Sequence, residues 1–125
     1  MVRIKRAYEP YEPGDGYRVL VDRLWPRGVT KEAAHVDLWA REVAPSAGLR
    51  TWFGHNPVRY REFAERYRQE LAKSPARERF LELLEHAAHG RVTLVYGARD
   101  EEHNNAIVLK REIEEALGYH ASSAR

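Results

Sequence analysis

Arg18-Val19-Leu20-Val21-Asp22-Arg23-Leu24-Trp25-Pro26-Arg27-Gly28 is the stretch on which the fold turns. Val19, Leu20 and Val21 form a short apolar, mostly β-branched run, the pattern of a buried strand, and Asp22 and Arg23 stand where the backbone leaves the sheet. A second run of this kind, Val92-Thr93-Leu94-Val95-Tyr96, precedes Gly97-Ala98-Arg99-Asp100. Each strand therefore delivers an Arg/Asp pair to the loop that follows it. Strands running the same way would gather both pairs on one rim of the sheet, where open α/β folds hold their ligands.

The residues between the two runs predict mostly helices. Thr30, followed by Lys31 and Glu32, caps a short one. Residues 36–43 mix apolar and charged positions and read equally as helix or extended chain. Ser46 precedes a short helix over residues 49–53, stopped by Gly54-His55. Asn56 caps and Pro57 opens the clearest helix, which runs to Leu71 with Tyr60, Phe63, Ala64, Tyr67 and Leu71 on one face. Ser74-Pro75 repeats that device and opens a helix through Ala88, with Phe80, Leu81, Leu84, Ala87 and Ala88 as its buried stripe and Leu83 at the margin. Asp100 caps a last helix through Leu117, with Ala106, Leu109, Ile113 and Ala116 inward and Gly118 as its stop.

Ahead of all this, residues 2–8 alternate as a half-exposed or edge strand, and the short turn-rich link through residues 9–16 leaves its direction open. Strand, helices, strand is a crossover long enough for parallel pairing. The expected class is α/β: a small, mainly parallel sheet with a long helical crossover. It occupies one domain over residues 1–119; Tyr119 folds back on the last turn, and residues 120–125 carry no pattern and fray.

Composition narrows the function. A chain of 125 residues is enough for one core. With 43% hydrophobic and 32% charged residues it belongs among folded soluble proteins, and a formal charge of +2 argues weakly for nucleic acid. The bases are 17 arginines against 4 lysines, and the rigid guanidinium fork suits carboxylates, phosphates and aromatic faces. There is no cysteine, which removes disulfides, thiol nucleophiles and thiolate metal sites. No apolar run approaches the ~18 residues of a membrane span, and a cytoplasmic location is expected.

The candidate site is the shared rim. Arg23, Arg27 and Arg99 would bind a phosphate or carboxylate with paired donors, or else form a lattice with Asp22 and Asp100 that only ties the strand ends together. Asp22 and His55 are the candidates for proton transfer, although the favoured reading of His55 is the end of a short helix bound to a backbone carbonyl. Trp25, on a loop stiffened by Pro26, can stack on a ring. Asn104 would hydrogen-bond a ligand across the rim, one turn after Asp100, with Asn105 turned away. Gly97-Ala98-Arg99 lacks a dinucleotide fingerprint and a P-loop ending, His86 and His89 lack a third metal ligand, and no cofactor is indicated. The leading function is a pocket for a small anionic molecule, with hydrolysis or group transfer as the reaction if it is catalytic. The alternatives are a nucleic-acid binder using the arginines of residues 59–79, and a protein-interaction module.

Taken in order, residues 18–28, Asp37-Leu38-Trp39, Ala44-Pro45-Ser46, Leu49-Arg50-x-Trp52-Phe53-x-His55, Phe63 with Tyr67, and residues 92–96 with Ala98-Arg99-Asp100 and Asn104-Asn105-Ala106 resemble the DUF488 family, in its short YeaO-like branch. The resemblance covers residues 3–117. It implies a small bacterial or archaeal α/β domain, distantly rhodanese-like or Rossmann-like, and names no activity. Other branches carry a Cys-His-Arg segment after the last core strand. Here that place reads Gly97-Ala98-Arg99-Asp100, so thiol chemistry is not inherited.

Overall fold

The computed structural model describes residues 1–118, so the expectations for Tyr119 and residues 120–125 lie outside the described residues. Four strands, β1 (Val2–Arg6), β2 (Tyr17–Leu20), β3 (Leu38–Trp39) and β4 (Val92–Tyr96), form one sheet in the order β1-β4-β2-β3. Every pairing in it is parallel. The open question of the first strand is thereby answered: β1 is an edge strand running with β4. Five helices complete the fold: α1 (Lys31–Ala34), α2 (Ala47–Phe53), α3 (Tyr60–Leu71), α4 (Ala76–His89) and α5 (Asn105–Leu117). Among the described residues no helix is long and apolar enough to cross a membrane.

Alternation along the strands divides the sheet into two unlike faces. Val2, Val19, Val21, Val92, Leu94 and Tyr96 join Phe53, Phe63, Tyr67, Phe80, Leu83, Ala87, Leu109 and Ile113 in the main core, so the longer helices share one face. The other face carries Leu20 and Val95 with Ala7, packed by Trp25, Val36 and Trp39 from the loops. Its remaining positions are polar: Arg3 lies level with Thr93, which lies level with Arg18, and Lys5 is level with Val95.

Asp15 closes this polar face. It stands in the 3-10 turn Pro13–Asp15 of the link between β1 and β2, and its carboxylate accepts from Arg3 at 2.5 Å, Arg18 at 2.5 Å and Lys5 at 3.1 Å. Its carbonyl accepts from Thr93 Oγ1 at 2.7 Å. The Arg18 guanidinium has no solvent exposure and spends its other donors on the Ala34 carbonyl, which fixes the end of α1. Gly16 follows at φ 68°, and a β-carbon there would stand 2.4 Å from the Arg91 carbonyl oxygen, so only glycine lets the link pass. The chain thus crosses over β4 between β1 and β2 without a helix, held down by charge.

Several local expectations are met and several are corrected. Thr30, Ser46 and Asn56 each accept from a backbone N–H at a helix start, as their residue types require. Residues 38–39 are strand, so the helical crossover returns from β3, not β2, to β4. Ser74 does not cap α4: its hydroxyl donates to Glu78, and the Ser74-Pro75 peptide is cis. The α4 stripe is Ala76, Phe80, Leu83 and Ala87, spaced four, three and four, which turns Leu81 outward at 45% exposure, exposes Ala88 and buries Leu83. Asp100 does not cap α5 either. Asn104 does, accepting from Ile107 N at 3.0 Å, and Ala116 is exposed on the last turn.

Burial opposes ionisation of Asp15, but the Glu12 N–H and the Lys5 and Arg18 donors outweigh it and hold the pKa at about 2. A carboxyl depressed by folding stabilises above its unfolded pKa and loses that contribution as pH falls through the folded one. Its share of stability is therefore present above pH ~4 and lost toward pH ~2. Asp15→Asn is expected to cost about 3 kcal/mol in urea denaturation at pH 7, because it leaves three cations facing an amide. The gap from the parent should close as both proteins are taken to pH ~2.

Candidate functional site

Where β2 and β4 end side by side, their loops open around a cavity of about 250 Å³. Asp22 sits at the junction, half-buried. One carboxylate oxygen accepts from Gly97 N at 2.8 Å, the other from Asn105 Nδ2 at 3.3 Å, and its carbonyl accepts from Trp39 Nε1 at 2.8 Å. A β-carbon on residue 97 would stand 3.3 Å from the same carboxylate, so glycine there permits the close approach. One residue therefore ties the exit of β2 to the exit of β4 and to α5 through its carboxylate, and to β3 through its carbonyl.

Burial pushes the Asp22 carboxyl above its ordinary value, against the Gly97 and Asn105 donors and the nearby charges of Arg50 and His55. Neither cation is close enough for an ion pair, and Asp22 has none among the described residues.

The walls are mainly apolar: Leu24, Trp25, Pro26, Pro45, Phe53 and Phe63. Trp25 donates to the Val29 carbonyl at 2.6 Å and meets Trp39 edge to face at 5.4 Å, so its ring is fixed from both sides. Phe53 stacks on Phe63 at 4.3 Å. Cationic groups stand among these rings. Arg23 reaches the Pro45 carbonyl at 3.3 Å. The Arg50 side chain, on α2, makes no hydrogen bond or ion pair with another described residue. His55 follows the Gly54 stop of α2 at φ 55°, an uncommon conformation for a residue with a β-carbon. His103 Nδ1 lies 2.9 Å from the Asp100 carboxylate, and its ring stands edge-on to Tyr60.

The structure brings Asp22, Arg23, Trp25, His55 and Asn104 to this cavity and leaves Arg27, Arg99 and Asp100 out of its lining. Arg27 and Arg99 are exposed on the flanking loops. Asp100 closes a turn, accepting from the backbone of Glu102 and His103 at 2.9 and 3.0 Å. Asn104 lies at the edge, but both ends of its amide are spent: Nδ2 donates to the Asp100 carbonyl and Oδ1 caps α5. The asparagine aimed at the junction is Asn105. Sequence reasoning preferred Asn104 because it assumed a helix from residue 100; residues 100–103 are a turn, and the helical angle between neighbours does not carry across it. Arg50 was missed, and its signal was present: it precedes the buried Phe53 by three residues on one short helix.

Asp22→Asn keeps an acceptor for Gly97 and removes the charge. A carboxyl whose pKa is raised by folding stabilises only below its unfolded pKa and loses that contribution as pH rises through the folded one. The variant is therefore expected to melt a few degrees above the parent at pH 7, with the difference vanishing as pH falls below ~4, in thermal scans by circular dichroism.

Comparison with known proteins supplies a lineage. A family model described as the inactive DUF488-N3 subclade matches residues 1–125. The uncharacterized protein Rv3073c of Mycobacterium tuberculosis (strain ATCC 25618 / H37Rv) is 44% identical over 108 residues, which cover 86% of this chain and 89% of that protein. The uncharacterized protein YeaO of Escherichia coli (strain K12) is 42% identical over 108 residues, 86% of this chain and 92% of its own. No solved structure matches.

Proposed function

The chain belongs to the DUF488 family, in the subclade described as inactive, and on that premise we propose that its cavity binds a small anionic molecule without transforming it. The observation that carries this reading is Arg50, a guanidinium with no hydrogen bond or ion pair among the described residues, at the wall of a cavity that Arg23 also lines. Two forks beside apolar rings suit an oxyanion attached to an apolar body. Binding alone is favoured over catalysis because the lining includes no serine, threonine, cysteine or lysine. A site that holds an oxyanion and presents no serine, threonine or cysteine nucleophile to it has the parts of a sensor or carrier.

The nucleic-acid alternative finds less support on the surface it would use. Arg66 is paired with Glu62, Arg68 with Glu65, and Arg79 with Glu42 and Glu82, as on an ordinary salt-bridged face.

The test is isothermal calorimetry with 3-phenylpropionate and phenyl phosphate. Arg50→Gln and Arg23→Gln are each expected to weaken binding at least about tenfold, since a hydrogen bond to a charged group is worth about 1.5–3 kcal/mol. Arg27→Gln and Arg99→Gln should leave it unchanged, and phenyl phosphate should be recovered intact. Binding that survives the loss of both Arg23 and Arg50, or release of phenol, overturns the proposal.

A further inference from the structure

Asp22 is the group in this cavity that an anion alone does not explain. Elsewhere the fold gives such an acid direct ion pairs: buried Asp15 is surrounded by Arg3, Lys5 and Arg18, whereas the charges of Arg50 and His55 act on Asp22 only from beyond ion-pair distance. Asp22 lines the cavity with one firm hydrogen bond, from Gly97, and one long one, from Asn105. It has no ion pair among the described residues. A carboxylate in that position repels a bare oxyanion entering the same space, so a purely anionic ligand would lose part of what Arg50 and Arg23 offer. A ligand carrying an N–H⁺ group as well as an oxyanion satisfies both ends. The cavity is also small: about 250 Å³, below the roughly 300–1,000 Å³ of sites for drug-sized ligands. Its walls demand apolar surface from whatever remains of the ligand.

Building on the reading of the cavity as an oxyanion site, we infer that its ligand is a zwitterion with an apolar tail, namely a free α-amino acid with an aromatic or branched aliphatic side chain. The ammonium group meets Asp22, the carboxylate meets Arg50 and Arg23, and the side chain lies among Trp25, Leu24 and Phe53. Burial disfavours the charged form of the Asp22 carboxyl, and a cation docked beside it offsets that cost.

The experiment is calorimetry at pH 7 on the full chain with two matched sets of probes. L-phenylalanine is compared with 3-phenylpropionate, which lacks the ammonium group, and with 2-phenylethylamine, which lacks the carboxylate. L-leucine is compared with 4-methylpentanoate. At least one amino acid is expected to bind tenfold or more tighter than each of its truncated counterparts. Asp22→Asn, with its fold checked by circular dichroism, should abolish the preference for the amino acid over the acid without abolishing binding of the acid. If the acids bind as tightly as the amino acids and still require Arg50, the zwitterion inference fails and the anion site stands. If neither the acids nor the amino acids bind, both fail. Tightest binding of 2-phenylethylamine, or a preference that persists in Asp22→Asn, also overturns the inference.

Discussion

The geometry of this protein rests on one carboxylate, Asp15, and the three cations that converge on it from two strands. A parallel sheet ordinarily buries both faces under helices, because parallel neighbours are joined by helical crossovers. Here β1 and β2 flank β4 and are joined by about ten residues, too short a span for a helix that also returns. The link lies directly on the sheet, and a sheet surface covered by a thin loop cannot be sealed by hydrophobic contact alone. Arg3, Thr93 and Arg18, level with one another across three strands, provide a polar row. Asp15 locks the loop onto that row. Arg18 then carries the same tie outward to the end of α1.

That arrangement places the site. With β1, β4 and β2 held parallel and in register, the exits of the central strands stand side by side, and the gap between their loops becomes a cavity rather than a surface. Two acids do opposite work in the two places. Asp15 is surrounded by positive charge and held ionised; Asp22 is held by neutral N–H donors and lines the cavity. The first is satisfied within the fold and the second is satisfied only in part.

The sequence was informative where a local rule governs and silent where the tertiary structure chooses. The two central strands are legible because Val19 to Val21 and Val92 to Tyr96 are buried on both sides and so read as unbroken apolar runs. The caps at Thr30, Ser46 and Asn56 are legible because a single side chain and a backbone N–H decide them. The phase of α4 was not, since Leu81, Leu83 and Leu84 are equally apolar and only the packed neighbours select Leu83. β3 was not, because two residues hold no periodicity. In the site, Asp22 and Arg23 follow from their place at a strand end. Arg50 reaches the cavity on the short helix where its spacing from Phe53 was legible, Asn105 does so from a helix whose rotation no local pattern sets, and Arg99 and Arg27 fall beside the opening although they flank the same strands. The Asp15 cluster was unforeseen altogether. Its members are spread over residues 3–93, and an aspartate before a glycine looks like any other turn.

The placement of β4 at the centre of the sheet has a consequence for how the nascent chain must behave. Among the described residues β1 has no strand partner but β4, and β2 has otherwise only the two-residue β3, yet β4 is the last of these four strands to leave the ribosome. At ~5–20 residues per second, the first strand waits roughly 5–20 s for its neighbour. During that interval the basic side chains Arg3 and Lys5 keep an unpaired β-edge soluble and resistant to mispairing. The charges that later clasp the loop thus first serve as a guard, and vectorial synthesis gives them two successive uses.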